Sequence, residues 1–322
     1  MSDRVCIVMT LPTAVTEKQI GVKMEIVSKA TCLGVFESGS PEWHQQRAMG
    51  IGGSEISTIC GLNRWESAYT LWAKKTGRIS GELKQSEPMF WGSRLESVIL
   101  DEFAARNPNL SVEVNPGTWH GKNIWEIANP DAVFIDENGD FGVVEVKTAA
   151  YADDWNLPAE GVRGTAQDVP RYYLTQVQWY LRIMGFDRAV VVALFSGNKY
   201  REFDVPADKF QQIADFELAE HFWNLVQDDA QPDWDGSTST YDTVRALHPD
   251  IDDTDYELAE LGSAYVHALE AQALTDDTVN RIKSMILDNM GKAKRGLVNG
   301  EVVVKRQAGR NGAAPYLVKV SK

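Results

Sequence analysis

Asn129-Pro130-Asp131-Ala132-Val133-Phe134-Ile135-Asp136-Glu137-Asn138-Gly139-Asp140-Phe141-Gly142-Val143-Val144-Glu145-Val146-Lys147 reads as two β-strands folded about one tight turn. The strands run over Asp131–Ile135 and Phe141–Lys147, and Asn138-Gly139 supplies the residue types that hairpin turns favour. With the turn centred on Asn138, Asp136 pairs with Asp140, and continuing outward sets Asp131 opposite Glu145. Directly opposed side chains have Cβ atoms ~4.5–5.5 Å apart, close enough for two carboxylates to grip one cation. Glu145 and Lys147 are two apart on one strand and share a face. Two acids and a lysine are out of place on a strand otherwise written Val143, Val144 and Val146. Hard oxygen donors without histidine or thiolate select Mg²⁺ or Mn²⁺ over zinc. An adjacent ammonium can pair with a carboxylate, stabilise phosphate charge or move a proton. The same short pattern also fits a surface hairpin closed by a cross-strand salt bridge.

Flanking segments add to the hairpin. Upstream, the spacing of Leu95, Ile99 and Phe103 predicts a helix over about Ser93–Arg106 with one buried stripe, and Glu96 borders that stripe. Downstream, Pro170–Met184 is helical, with Gln176 beside Tyr172, Tyr173 and Tyr180. Ala189–Phe195 is apolar enough to be a strand buried on both faces, so strand, helix and strand form a crossover. A further helix covers about Ala207–Gln227. Nearer the N-terminus, a short helix over Pro41–Met49 leads into Gly50-Ile51-Gly52-Gly53-Ser54, which opens a second helix toward Cys60. Backbone N–H groups at such a start suit a phosphate, and Arg47 can add a charged contact. Ser54 also fits an ordinary N-cap. Trp43, Trp65, Trp72 and Trp91 can stack on bases or pack in a core.

The 322 residues suffice for one large domain with an appendage, and 43% hydrophobic with 24% charged residues is a globular mix. A net charge of −14 excludes a wholly basic nucleic-acid binder but not a local basic groove, for which Lys74, Lys75 and Arg78 are candidates. Positive charge gathers at the end: Arg281–Lys322 holds ten Lys/Arg against Asp288 and Glu301, a balance of +8, leaving −22 on the rest. Before it, Asp228–Glu260 has eleven acids and one base, Arg245, and reads as a linker. Helices over about Tyr256–Leu274 and Asp276–Ala293 and strands near Glu301–Arg306 and Tyr316–Val320 follow. The expected division is an N-terminal extension over 1–35, a core over 36–235 and a C-terminal appendage over 236–322. Three cysteines without a CxxC pair fit a reducing cytoplasm, and Val5–Val15 reads as an extension or edge strand, not a signal peptide. No apolar run approaches the ~20 residues that span a bilayer.

Taken in order, Pro41-Glu42-Trp43-His44-Gln45-Gln46-Arg47, Gly52-Gly53-Ser54-Glu55-Ile56, Trp91-Gly92-Ser93-Arg94-Leu95-Glu96, Asn129-Pro130-Asp131, Glu145-Val146-Lys147 and Gln176-Val177-Gln178 resemble the YqaJ-type viral recombinase family. That family includes phage lambda exonuclease and lies within the PD-(D/E)XK nuclease superfamily; the resemblance spans about residues 36–200. It implies an α/β fold of α+β type, with a central mixed sheet flanked by helices. It also implies a two-Mg²⁺ nuclease, with Mn²⁺ as substitute, that digests duplex DNA from a 5′-phosphorylated end. A ring-shaped homotrimer working with a single-strand annealing protein is expected by the same resemblance. By motif, Glu96, Asp131, Glu145 and the Val146 carbonyl match the metal ligands, Lys147 the catalytic lysine, and Gln176 a glutamine beside the site. Arg47, Ser54 and Gly53 match the 5′-phosphate pocket. Asn129 departs from the small hydroxyl residue that relatives often carry there, and nothing about the segment after Asp235 is inherited from the shortest relatives. A structure-specific endonuclease on the same fold, or a non-catalytic DNA-binding protein, are the competing functions.

Overall fold

The computed structural model describes residues 5–6, 24–36, 39–81, 86–310 and 313–320, so most of the expected N-terminal extension lies outside the described residues. The chain divides into two units, 1–250 and 251–322.

The hairpin forms in the expected register. β8 (Ala132–Ile135) pairs antiparallel with β9 (Phe141–Ala149), from Ile135↔Phe141 to Ala132↔Val144. Asp136 N donates to Asp140 O at 3.1 Å, and Gly139 takes the left-handed φ of 86° that the turn requires. Continuing that register sets Asp131, just before β8, against Glu145.

From β9 the chain crosses through α5 (Arg171–Met184) to β11 (Arg188–Phe195), which lies parallel to β9 with Val191 beside Glu145. β12 (Lys199–Pro206) returns antiparallel to β11, and β10 (Gly164–Thr165) and β5 (Ser111–Val114) close the edges. The result is a mixed six-stranded sheet in the order β10-β12-β11-β9-β8-β5. Three of its strands escape the sequence patterns: β5 is a short edge strand, β10 has only two residues, and β12 carries Lys199, Arg201, Glu202 and Asp204. Helices cover both faces, as expected. On one, Ile99, Leu100 and Phe103 of α4 (Glu87–Arg106) pack on Phe134, Val144 and Val192. On the other, Val177, Leu181 and Met184 of α5 join the cluster of Val133, Val143 and Val191. Each such aliphatic side chain contributes about 1.5–3 kcal/mol through burial. α4 starts earlier than expected because Ser86 caps it and Pro88 fits its first turn.

A second sheet, of β3 (Thr31–Gly34), β6 (Thr118–His120), β7 (Glu126–Ala128) and β4 (Ile51–Gly52), carries the glycine-rich loop between α1 (Pro41–Ala48) and α2 (Gly53–Ile59). β1 (Val5–Cys6) pairs with β2 (Ile26–Val27). α3 (Ala68–Lys75) and α6 (Lys209–Gln227) complete the packing. The stretch read as linker holds α7 (Thr238–Leu247), pinned to α3 by hydroxyls: Thr240 Oγ1 donates to Ser67 Oγ at 2.7 Å, and Thr70 and Thr243 meet at 2.8 Å. The first unit therefore continues to Asp250, beyond residue 235.

The second unit begins with one helix, α8 (Ala259–Met290), where the sequence predicts two. The polar Thr275–Thr278 stretch stays helical, its threonine hydroxyls satisfied locally by donating back to Ala271 O and Leu274 O, each at 2.9 Å. β13 (Arg295–Val298), β14 (Glu301–Gln307) and β15 (Tyr316–Lys319) then form an antiparallel sheet. Among the described residues, no helix is long and apolar enough to cross a membrane.

Candidate active site

Where β8 ends and β9 runs on, the unpaired edge of β9 is taken by a side chain: Val146 N donates to Asp131 Oδ2 at 2.7 Å. In a strand, N–H and C=O of one residue leave on the same edge, so the Val146 carbonyl also faces Asp131. Glu145 is 2% exposed and its Oε1 is fully engaged, accepting from Lys147 Nζ at 2.6 Å and Gln176 Nε2 at 2.5 Å. Lys147 Nζ also donates to Gln176 Oε1 at 3.1 Å and lies 4.9 Å from the Tyr173 ring. Gln176 is held in turn by the Tyr180 hydroxyl at 3.1 Å. Glu145 Oε2, by contrast, is buried with no hydrogen-bond partner among the described residues. A buried anionic oxygen without a donor is costly, and the position invites a cation.

Charge around that oxygen is unbalanced. Glu96, on α4, adds its charge to those of Asp131 and Glu145, and Lys147 opposes them. Burial first, then the Asp131 charge, pushes Glu145 up to about 8 despite Lys147. Burial and Asp131 push Glu96 up to about 7. Burial also raises Asp131, opposed by Lys147 and the Val146 N–H. For Lys147 burial acts downward, but Glu145 and Asp131 outweigh it and hold the ammonium above its ordinary value. Protons on the acids balance the excess negative charge; a divalent cation would do the same. Among the described residues no three His, Cys, Asp or Glu side chains are gathered closely enough to hold a metal ion together. The donor set of hard oxygens nonetheless fits Mg²⁺ or Mn²⁺, with Asp131, Glu145, Glu96 and the Val146 carbonyl as the groups to hold it.

The second constellation forms beside the first. Arg47 Nη2 donates to Ser54 Oγ at 2.8 Å, and its guanidinium lies 4.7 Å over the Trp43 ring. Gly52, not Ser54, precedes α2, and its N–H is bound by Glu55 Oε2 at 2.9 Å. Gly53 matters for packing: a Cβ there would collide with the Tyr180 ring. Tyr180 thus touches the loop and, through Gln176, the acids. Lys75 Nζ reinforces the loop, donating to Gly50 O at 2.7 Å and Arg47 O at 2.8 Å while pairing with Glu55 at 2.9 Å. A cleft of about 710 Å³ opens here, lined by Trp43, Arg47, Ser54, Glu55, Lys74 and Lys75.

All the expected site residues fall into these two groups, and Asn129 donates to Thr118 Oγ1 at 2.5 Å. Other expectations fail. Lys74, Lys75 and Arg78 do not form a free basic channel: each is paired, with Glu66, Glu55 and Asp229. Trp72 is buried at 3% exposure and is a core residue, whereas Trp65 and Trp91 are exposed. Sequence alone missed Tyr180 as the link between loop and acids, although its i+4 spacing from Gln176 places them on one helix face.

With this geometry in view, residues 42–187 match the model of the YqaJ-like viral recombinase domain. Those residues are similar to that domain over somewhat less than half of the chain. They include Arg47, Ser54, Glu96, Asp131, Glu145, Lys147 and Gln176. The Bacillus subtilis (strain 168) protein YqaJ, itself described as uncharacterised, is 26% identical over 270 residues, covering 82% of this chain and 80% of that protein. Similar solved structures include the alkaline exonuclease LHK-Exo of Laribacter hongkongensis, 15% identical with a TM-score of 0.46 over 66% of this chain and all of that one. A putative exonuclease of Eubacterium rectale is 14% identical with a TM-score of 0.43, over 70% of this chain and 98% of that one.

Proposed function

We propose that the YqaJ-like domain hydrolyses phosphodiester bonds of linear duplex DNA, starting from a 5′-phosphorylated end. The observation that carries this reading is the buried, donor-less Glu145 Oε2 beside Asp131, with Lys147 and Gln176 fixed on the other oxygen. A divalent cation bound there would polarise the phosphate and acidify a water molecule. Lys147, kept protonated by its acidic neighbours, acts as a fixed positive charge and hydrogen-bond donor toward the developing negative charge on phosphate. Gln176 holds Lys147 and Glu145 in one geometry and is itself steadied by Tyr180. Arg47 and Ser54 bind the terminal phosphate, which sets direction.

Digestion of 5′-phosphorylated against 5′-hydroxyl linear duplex tests the reading. The phosphorylated end is expected to be cut faster, and Arg47→Ala to remove most of that preference. A charge-assisted contact of about 1.5–3 kcal/mol corresponds to a ten- to hundredfold effect. Equal rates on both ends, or nicking of closed circular duplex, would overturn the exonuclease reading and favour an endonuclease.

A further inference from the structure

In the first unit, most of the described basic side chains pair with the chain's own acids, among them Arg64 with Asp154, Lys74 with Glu66, Lys75 with Glu55, Arg78 with Asp229 and Arg163 with Glu202. The second unit is the reverse. Among the described residues, no ion pair involves any lysine or arginine from Arg281 to Lys319, although the sequence from Arg281 onward carries +8. Five of these cations, Lys292, Lys294, Lys305, Arg306 and Lys319, line one groove of about 1030 Å³ on the β13-β14-β15 sheet, and no carboxylate lines it. Arg306 is anchored by donating to the Gly291 carbonyl, and its Nε is buried without a partner. Strand pairing clusters further charge: Arg295 lies opposite Lys305, which lies opposite Val318, while Lys319 lies opposite Val304. Like charges directly opposed on a sheet repel, so this arrangement is costly unless an anion joins it.

We propose that the C-terminal unit is a second, non-catalytic DNA-binding module, whose groove of unpaired cations takes the phosphate backbone without regard to sequence. The inference rests on DNA being the substrate of the first unit. It explains how a chain of net charge −14, with most of its described core cations paired to acids, holds a polyanion: counterion release on binding scales with the number of phosphates met by free Lys and Arg. Five of the groove's eleven lining residues are cations and none is a carboxylate, which favours a polyanion such as a phosphate backbone. Tyr316, exposed opposite Gln307, offers a ring to a base in a single strand.

The test uses the full chain in EDTA, with binding followed by fluorescence anisotropy on a labelled duplex and a labelled single strand across a salt series. Lys294, Lys305 and Lys319 are exposed, so the triple variant K294Q/K305Q/K319Q is compared with K294R/K305R/K319R, which keeps the charge. At about 0.9 per phosphate contact on duplex, the slope of log K against log salt should flatten by two to three in the glutamine variant and stay near wild type in the arginine one. Unchanged affinity and slope in the glutamine variant would overturn the proposal, as would equal loss in both variants. The relative effect on duplex and single strand tells which form the groove holds. The proposal and the catalytic reading fail separately. Steep, lysine-dependent binding without Mg²⁺-dependent cleavage by the wild type removes only the nuclease. Cleavage with binding indifferent to these lysines removes only the module.

Discussion

Replacing Lys147 with alanine is expected to lower turnover on linear duplex about 10²–10³-fold while duplex binding persists. The side chain sits where the active-site charges converge, 2.6 Å from Glu145 Oε1 and 3.1 Å from Gln176 Oε1, and is only 16% exposed. It keeps its proton because Glu145 and Asp131 outweigh the cost of burial. Its loss removes a positive charge aimed at the developing charge on phosphate, the kind of contribution that weighs most in catalysis. It also leaves the acids more negative, so metal affinity should hold or rise. Lost turnover with retained cation binding identifies a residue of the chemistry. Full activity in the alanine variant, measured by release of nucleotides from an end-labelled duplex, would remove Lys147 from the mechanism.

The second large effect is on stability. A carboxyl whose pKa is higher in the folded protein than its ordinary ~4.3 binds more protons when folded. Its contribution is complete at acid pH and is lost as pH rises through the folded value. Glu96 at about 7 and Glu145 at about 8 place that loss between roughly pH 5 and pH 8. The metal-free protein should therefore melt at lower temperature at pH 8 than at pH 6. Mg²⁺ or Mn²⁺ must displace those protons, so its stabilising effect should grow over the same range. At a cation concentration one hundred times Kd the gain is about 2.7 kcal/mol, or roughly 5–10 °C for a unit of this size. Glu145→Gln should flatten the metal-free pH dependence and abolish most of the cation's effect. A cation shift that is the same at pH 6 and pH 8, or that survives Glu145→Gln, contradicts the assignment.

The hairpin was legible because register follows from the turn: Asn138-Gly139 sets every pairing out to Asp131 and Glu145. Glu96 and Gln176 were legible because helical periodicity ties them to the buried faces of α4 and α5. Less visible were interactions that depend on packing between distant segments. Gly53 looks like a flexible loop residue, yet its constraint is the Tyr180 ring, 127 positions on in sequence. Pairing of Lys74, Lys75 and Arg78 with acids likewise follows from tertiary placement: Arg78 and Asp229 lie far apart in sequence but 2.6 Å apart in space. The edge strand β5 and the charged β12 were hidden because their alternation is weak against a surface background. α8 was divided in two by its Thr275–Thr278 stretch, whose threonines bond back to the helix.

The most direct measurement is digestion of a uniformly labelled, 5′-phosphorylated linear duplex by the full chain, with Mg²⁺ and with EDTA. Mononucleotides released in Mg²⁺, none in EDTA, and none from Asp131→Asn or Glu145→Gln are the expected results. Intact duplex in Mg²⁺, or equal digestion by either carboxyl variant, would show that the acids beside Lys147 do not hold a catalytic cation.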